Sequence, residues 1–321
     1  GVRMLAYAPL DYPMDDPFGP PAGYDPIEEA RWGGPVWSRL CSSIYPVLEL
    51  CVDAYYVSIS DSFHGDHEFL QHLDAVRHFI GDGADIDGVD QASGGTGLHF
   101  SAGTGSQELC RLLLQAKARV SARDRQLRTP LWWALAANHA KVCQLLLRHD
   151  GGVAFVPDID RMTPLHEAAC LGNGEIVRHL APHYRPKPGV DVRGGVDMKT
   201  ALHLAAHWGH YDVCAALLEA RADPQVACSH GKTALHYAAE CGADGIELCQ
   251  LFAERRPACR SLRDASGRTA METANRLGRL NPDLQTVLSG AQGLRSLSAQ
   301  PRSGRGRGNR RTAGREPRRR S

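Results

Sequence analysis

The stretch Thr163-Pro164-Leu165-His166-Glu167-Ala168-Ala169 governs how the rest of the chain is read, because its opening returns at a near-constant interval. The other copies open as Thr96-Gly97-Leu98-His99, Thr129-Pro130-Leu131-Trp132, Thr200-Ala201-Leu202-His203, Thr233-Ala234-Leu235-His236 and Thr269-Ala270-Met271-Glu272. Successive threonines stand 33, 34, 37, 33 and 36 residues apart. A period of that length marks one supersecondary unit repeated in space, and such a unit buries its apolar face only against the next copy. Each copy has the local chemistry of a short helix. The threonine caps it, and proline or alanine fills the first position, where a missing N–H costs nothing. Small residues such as Ala168-Ala169, Ala205-Ala206 and Ala238-Ala239 let neighbouring helices approach closely. Nine residues past the threonine stand Gly105, Gly172, Gly209, Gly242 and Gly278, each suited to the left-handed turn that ends a helix. Apolar residues then recur at helical spacing in a second helix, as in Leu109, Leu112 and Leu113, or Val142, Leu145 and Leu146, or Val213, Ala216 and Leu217.

This grammar, with T-P-L-H-x-A at its head, resembles the ankyrin repeat, a β-turn followed by two short antiparallel helices. The resemblance implies an all-α fold, a solenoid of stacked helix-turn-helix units with β-turn fingers, over roughly residues 62–289. It also implies that His99, His166, His203 and His236 hydrogen-bond their own loop and its neighbour. The segment Asp74-Ala75-Val76-Arg77-His78-Phe79-Ile80 repeats the second-helix pattern one period early, so a degenerate amino-terminal repeat is expected to start near Ser62. Residues 269–288 read as the terminal repeat, with Asn281-Pro282 opening its last helix. Two departures stand out. Trp132 replaces the histidine and Leu135 the second alanine of one copy, and the interval of 37 residues places extra loop at 184–197, rich in proline and glycine.

The 321 residues are 43% hydrophobic, enough for a sizeable folded unit. No run approaches 18 apolar residues, and the most hydrophobic stretch, 44–59, is interrupted by Glu49 and Asp53, so no membrane span is expected. No secretory leader is recognisable, and the first residue is glycine, so a fragment or processed chain with lost flanking domains is an expectation. Of the ten cysteines, Cys110, Cys143 and Cys214 lie fourteen residues past their threonines, Cys249 fills the equivalent slot, and Val177 stands there in another copy. A slot that accepts cysteine or valine is a small apolar one. Free thiols of this kind suit the cytoplasm or nucleus. One histidine per repeat is spread along the stack, so neither set is expected to bind a metal.

Both ends differ from the middle. Residues 1–61 do not repeat; 11–29 are rich in proline, glycine and acid and read as a loosely ordered arm, whereas 36–59 are apolar enough for one or two helices docked on the first repeat or for part of a truncated domain. Residues 290–321 read as a disordered Arg/Gly-rich tail. It carries about +9, which leaves about −8 on the remainder. Arg302, Arg305, Arg307, Arg310 and Arg311 resemble an RGG-type segment that grips RNA or another polyanion by charge and guanidinium stacking, although no aromatic is interleaved. A nuclear-import signal and an inert solvated tail are the alternatives.

No phosphate-binding G-x-x-x-x-G-K-[ST], no G-x-S-x-G and no H-E-x-x-H is present, and Gly94-Gly95-Thr96-Gly97 sits at a repeat turn without a lysine. No catalytic residue and no cofactor are therefore expected. In the resembled family the concave face carries binding, built from turn tips and the exposed side of the first helices. Mapped onto this chain, that face holds Arg128, Met162, Lys199, Lys232 and Arg268 just before the threonines, with Leu171, His207 and Trp208 further along. The cations are read either as ordinary turn chemistry or as a row that steers an acidic ligand. Trp208 is read either as a binding anchor or as packed on the 184–197 loop. Trp133 and Tyr237 are read as core. The expected function is a monomeric, non-catalytic interaction module that binds another protein or an acidic peptide through its concave face. Polyanion binding by the tail, or targeting for a larger enzyme such as a ubiquitin ligase subunit or acyltransferase, are the alternatives.

Overall fold

The computed structural model describes residues 46–59, 66–184 and 189–290. The arm at 1–45, the prolines of the 184–197 loop and the arginine tail with Arg302, Arg305, Arg307, Arg310 and Arg311 lie outside the described residues. Each signature copy folds as a pair of helices. These are α3 (Gly97–Thr104) with α4 (Gln107–Gln115), α5 (Pro130–Ala136) with α6 (Ala140–His149), α7 (Pro164–Leu171) with α8 (Gly174–Leu180), α9 (Ala201–Trp208) with α10 (Tyr211–Glu219), α11 (Ala234–Glu240) with α12 (Ile246–Arg255), and α13 (Ala270–Arg276) with α14 (Pro282–Ser289). They are preceded by α1 (Pro46–Ile59) and α2 (Asp66–Gly81). Among the described residues there is no β-strand, only two isolated antiparallel bridges, and no helix is long and apolar enough to cross a membrane.

The helices form two layers. The first helices pack in chain order from α1 through α3, α5, α7, α9 and α11 to α13, and the second helices from α2 through α4 to α14. Helix α1 packs against α3 as each later first helix packs on the next, so among the described residues the unit ahead of α3 includes α1, upstream of the expected start near Ser62. The reason is chemical: Val47, Leu50, Cys51 and Ala54 give α1 an apolar face in place of the Thr-Leu-His head, and all four are buried. The alanine pairs Ala168-Ala169, Ala205-Ala206 and Ala238-Ala239 are fully buried where first helices meet. Cys110, Cys143, Cys214 and Cys249 are buried between second helices, as is Val177. Burial pushes the Cys110, Cys143 and Cys249 thiols up to about 12.

Turns follow the sequence closely. Gly105, Gly172, Gly209, Gly242 and Gly278 all take positive φ, and Asn138 takes the same place in the copy at Thr129, where no glycine stands. A second left-handed position lies in each finger, two residues before the threonine. Glycine holds it in the outer fingers, at Gly94, Gly231 and Gly267, whereas the three central fingers hold Leu127, Arg161 and Met198 there at φ of 60°, 62° and 53°. A side chain in that conformation costs about 1 kcal/mol or more.

Candidate functional site

The threonine and histidine of each head act as one hydrogen-bonded unit. Thr163 N–H and the Thr163 hydroxyl both reach His166 Nδ1, at 3.1 and 2.8 Å, while His166 Nε2–H donates to the Lys199 carbonyl of the next finger at 3.0 Å. His99 reaches the Arg128 carbonyl, His203 that of Lys232 and His236 that of Arg268 in the same way. Each imidazole is thus fixed as the Nε2–H tautomer. Burial holds His99, His166 and His203 down to about 4 and depresses His236 in the same direction. A second bond joins some fingers through the backbone: Arg125 N–H to Ser93, Ile159 to Gln126, Ser229 to Asp197 and Ala265 to His230.

These ladders are incomplete in the middle. At Thr129 the histidine is Trp132, whose indole donates to Val156 O at 3.4 Å, and the buried Thr129 hydroxyl has no partner among the described residues. The next finger holds Val196 where the backbone bond would fall, after a turn lengthened by Gly194-Gly195, and Val196 N–H makes no such bond among the described residues. Each of the two central seams between fingers therefore keeps one of the two cross-finger bonds found elsewhere.

The groove side of the first helices carries Phe100, Trp133, Glu167, Leu204 and Tyr237 in a single column, four residues past each threonine. Trp133 packs edge-on to Phe100 with centroids 5.0 Å apart and donates to Asp124 Oδ2 at 3.0 Å. Tyr237 is buried, and both Lys199 Nζ and Lys232 Nζ lie over its ring, at 5.3 and 5.4 Å. Tyr237 thus does more than fill core, because it is the floor under two ammonium groups. Glu167 is partly buried, and that burial, with Asp158 nearby, raises its carboxyl.

The cations expected before each threonine are all there and all paired. Arg128 bonds the buried Asp124 at 2.8 Å, Lys199 bonds Asp197 at 2.9 Å, Lys232 bonds Glu240 at 2.6 Å and Arg268 bonds Asp264 at 3.4 Å. Each cation of the row is thus held by an acid of its own chain. Met162, the uncharged member, is partly buried, and its N–H donates to Asp158. Sequence reading passed over Asp197 and Glu240 as partners, although Asp197 stands two residues from its lysine and Glu240 one helix length from Lys232. Trp208 is 55% exposed and Leu171, one repeat earlier, 43%. His207 lies between Trp208 and Tyr237, at ring-centroid distances of 5.4 and 5.6 Å. Partial desolvation and then Lys199 hold its imidazole below the usual histidine range. His207, Lys199 and Lys232 thus come together around Tyr237, with Trp208 against His207 and Leu171 in the Trp208 slot one repeat earlier, while Arg128 and Arg268 stand at other fingers. Among the described residues no three His, Cys, Asp or Glu side chains converge as metal ligands.

Stacked helix pairs with hydrogen-bonded fingers and an open groove define a repeat solenoid of the interaction-module class. A family model for ankyrin repeats in three copies matches residues 68–156 and 151–228, and the chain belongs to the ankyrin repeat family. It is 32% identical over 163 residues to neurogenic locus notch homolog protein 1 of Xenopus laevis, covering 51% of this chain and 6% of that protein, and 30% identical over 163 residues to the human counterpart. A transient receptor potential cation channel subfamily A member 1 homolog of Caenorhabditis elegans is 32% identical over 127 residues. The chain thus spans only a small part, 6–10%, of these curated relatives. Among solved structures, the ankyrin repeat domain of Bcl-3 superposes with a TM-score of 0.61 at 20% identity, over 74% of this chain and 97% of that one. The ankyrin repeat protein EF0377 does so at 0.54 and 26% identity, over 60% and 96%. Ankyrin arrays are in general non-catalytic surfaces for other proteins.

Proposed function

We propose that this array binds a segment of another protein in the groove around Trp208, with Leu171 and His207 beside it and the Lys199 and Lys232 ion pairs at its rim. The observation that carries this reading is the exposure of a tryptophan and a leucine in the same slot of adjacent repeats. Large apolar side chains exposed side by side, rimmed by charge, are the usual make-up of an interface centre. The lysines bind their own acids in the free chain, so a partner carboxylate would exchange for Asp197 or Glu240, and steering by charge would be modest. The free thiols are consistent with a reducing compartment, cytoplasm or nucleus, and we take the array to act as a monomer.

The test is affinity capture with the full chain and with Trp208→Ala, washed at low and high salt, after thermal unfolding has shown that the two chains melt together. Proteins held by the parent and lost by at least tenfold from Trp208→Ala support the groove. Proteins held equally by both would remove it, and nucleic acid retained only at low salt would shift the function to the arginine tail.

A further inference from the structure

The three central fingers break the rule that the outer ones keep. Where Gly94, Gly231 and Gly267 sit in the left-handed conformation, the central fingers place Leu127, Arg161 and Met198. None of those side chains joins the buried core: Leu127 is 40% and Met198 42% exposed, and Arg161 is exposed as well. Two residues earlier in their fingers, Ile159 and Val196 are 62% and 94% exposed, whereas Ser229 and Ala265 hold that place further on. Four aliphatic side chains thus project from three adjacent fingers. Backbone strain at residues outside the core points to a surface kept for another purpose.

The free charge around these tips leans positive, with the exposed Asp160 set against the exposed Arg123, Arg161 and Arg193. Arg161 and Arg193 are exposed and have no carboxylate partner among the described residues. The acids on the same fingers are Asp124 and Asp197, already paired, Asp158, which accepts from the Asp160 and Met162 N–H groups, and Asp160, exposed. We infer that the tips of the three central fingers, through Leu127, Ile159, Val196 and Met198 with Arg161 and Arg193, dock a protein segment in which aliphatic residues are interspersed with aspartate or glutamate. Helices packed at about 8–10 Å put the outer two of these fingers roughly 16–20 Å apart, so a short segment crosses all three. The inference deepens the proposed function: the bound segment runs out of the Trp208 groove onto the tips, and it is the tips that select acid next to aliphatic side chains.

The test uses a displayed library of random 16-residue peptides selected on the full chain. Enriched peptides are then measured against the parent, against the triple variant Leu127→Gly, Arg161→Gly, Met198→Gly, and against Trp208→Ala. Glycine relieves the strain, so the triple variant should unfold at a temperature no lower than the parent. The expected result is enrichment of peptides rich in Asp, Glu, Leu, Ile and Val, with affinity falling at least tenfold for the triple variant. Peptides that bind the triple variant as well as the parent, yet lose affinity for Trp208→Ala, would overturn the fingertip site and leave the groove standing. Peptides indifferent to both would overturn both. Enrichment of basic peptides, or a sedimenting dimer of the parent that the triple variant abolishes, would also overturn the inference, the latter in favour of a second copy of this chain.

Discussion

The outer and central fingers are built on the same repeat pattern, yet they are held differently. Between the fingers that precede Thr96 and Thr129, and among the last three, each seam has a histidine bond and a backbone bond. The seam after Thr129 lacks the histidine and the seam after Thr163 lacks the backbone bond. The central fingers also carry the non-glycine left-handed residues. In a stack where each repeat touches only its neighbours, stability is a sum of such seams, so bonds missing at the centre concentrate opening there. The softest seams thus coincide with the fingers whose side chains have no partner of their own.

Acid is the strongest way to break this comparison. His99, His166 and His203 have folded values near 4 against an ordinary 6.5, so below pH 6.5 the unfolded chain binds protons that the folded chain does not. Their contribution is complete above pH 6.5 and is lost as pH falls towards 4. Near pH 5, unfolding should take up about three protons, a slope of about 4 kcal/mol per pH unit. Urea midpoints across pH 4–7 measure it; a flat profile would mean that the imidazoles are not buried as described. The Trp132 seam has no head histidine to contribute to this slope.

Next in size is removal of a single histidine. His203→Ala leaves the Thr200 N–H and the Lys232 carbonyl without their partner in a buried site and should cost about 3 kcal/mol. His166→Ala removes the remaining histidine bond from a seam that already lacks the backbone one. It should therefore split urea unfolding into two transitions, where His203→Ala keeps one.

Glycine exchange sharpens the contrast at the fingers. At Gly231, φ is +70° and an added Cβ would stand 2.5 Å from Ala265 N, so Gly231→Ala should lose about 1–3 kcal/mol by thermal unfolding. The smallest expected effect separates two threonines. Thr163→Val removes a hydroxyl bonded to His166 and should cost about 1 kcal/mol, whereas Thr129→Val removes an unsatisfied one and should be neutral within about 0.5 kcal/mol.

Much of the fold could be read from the chain because its signals are local. Threonines at the helix starts, turn glycines and the Cys or Val slot each depend on a few neighbouring residues and appear where they were expected, although the Thr129 hydroxyl caps nothing among the described residues. Helix α1 was less legible because its role is set by packing on α3 and not by a capping motif of its own. The site was legible only in part. Trp208 and Leu171 could be placed on the groove by counting from the threonine. The partners of Lys199 and Lys232 depend on side-chain reach, which counting does not give. The fingertip residues were missed although their signal is in the sequence: Leu127, Arg161 and Met198 stand where glycine stands in the other fingers.

The most direct test of uneven seams is native-state hydrogen exchange resolved at the finger amides. Val196, with no cross-finger acceptor, should open at the lowest free energy, Ile159 next, and Ser229 and Ala265 at the highest. Equal protection at Val196, Ser229 and Ala265 would contradict the account, since it would mean that the centre of the array is held as firmly as its ends.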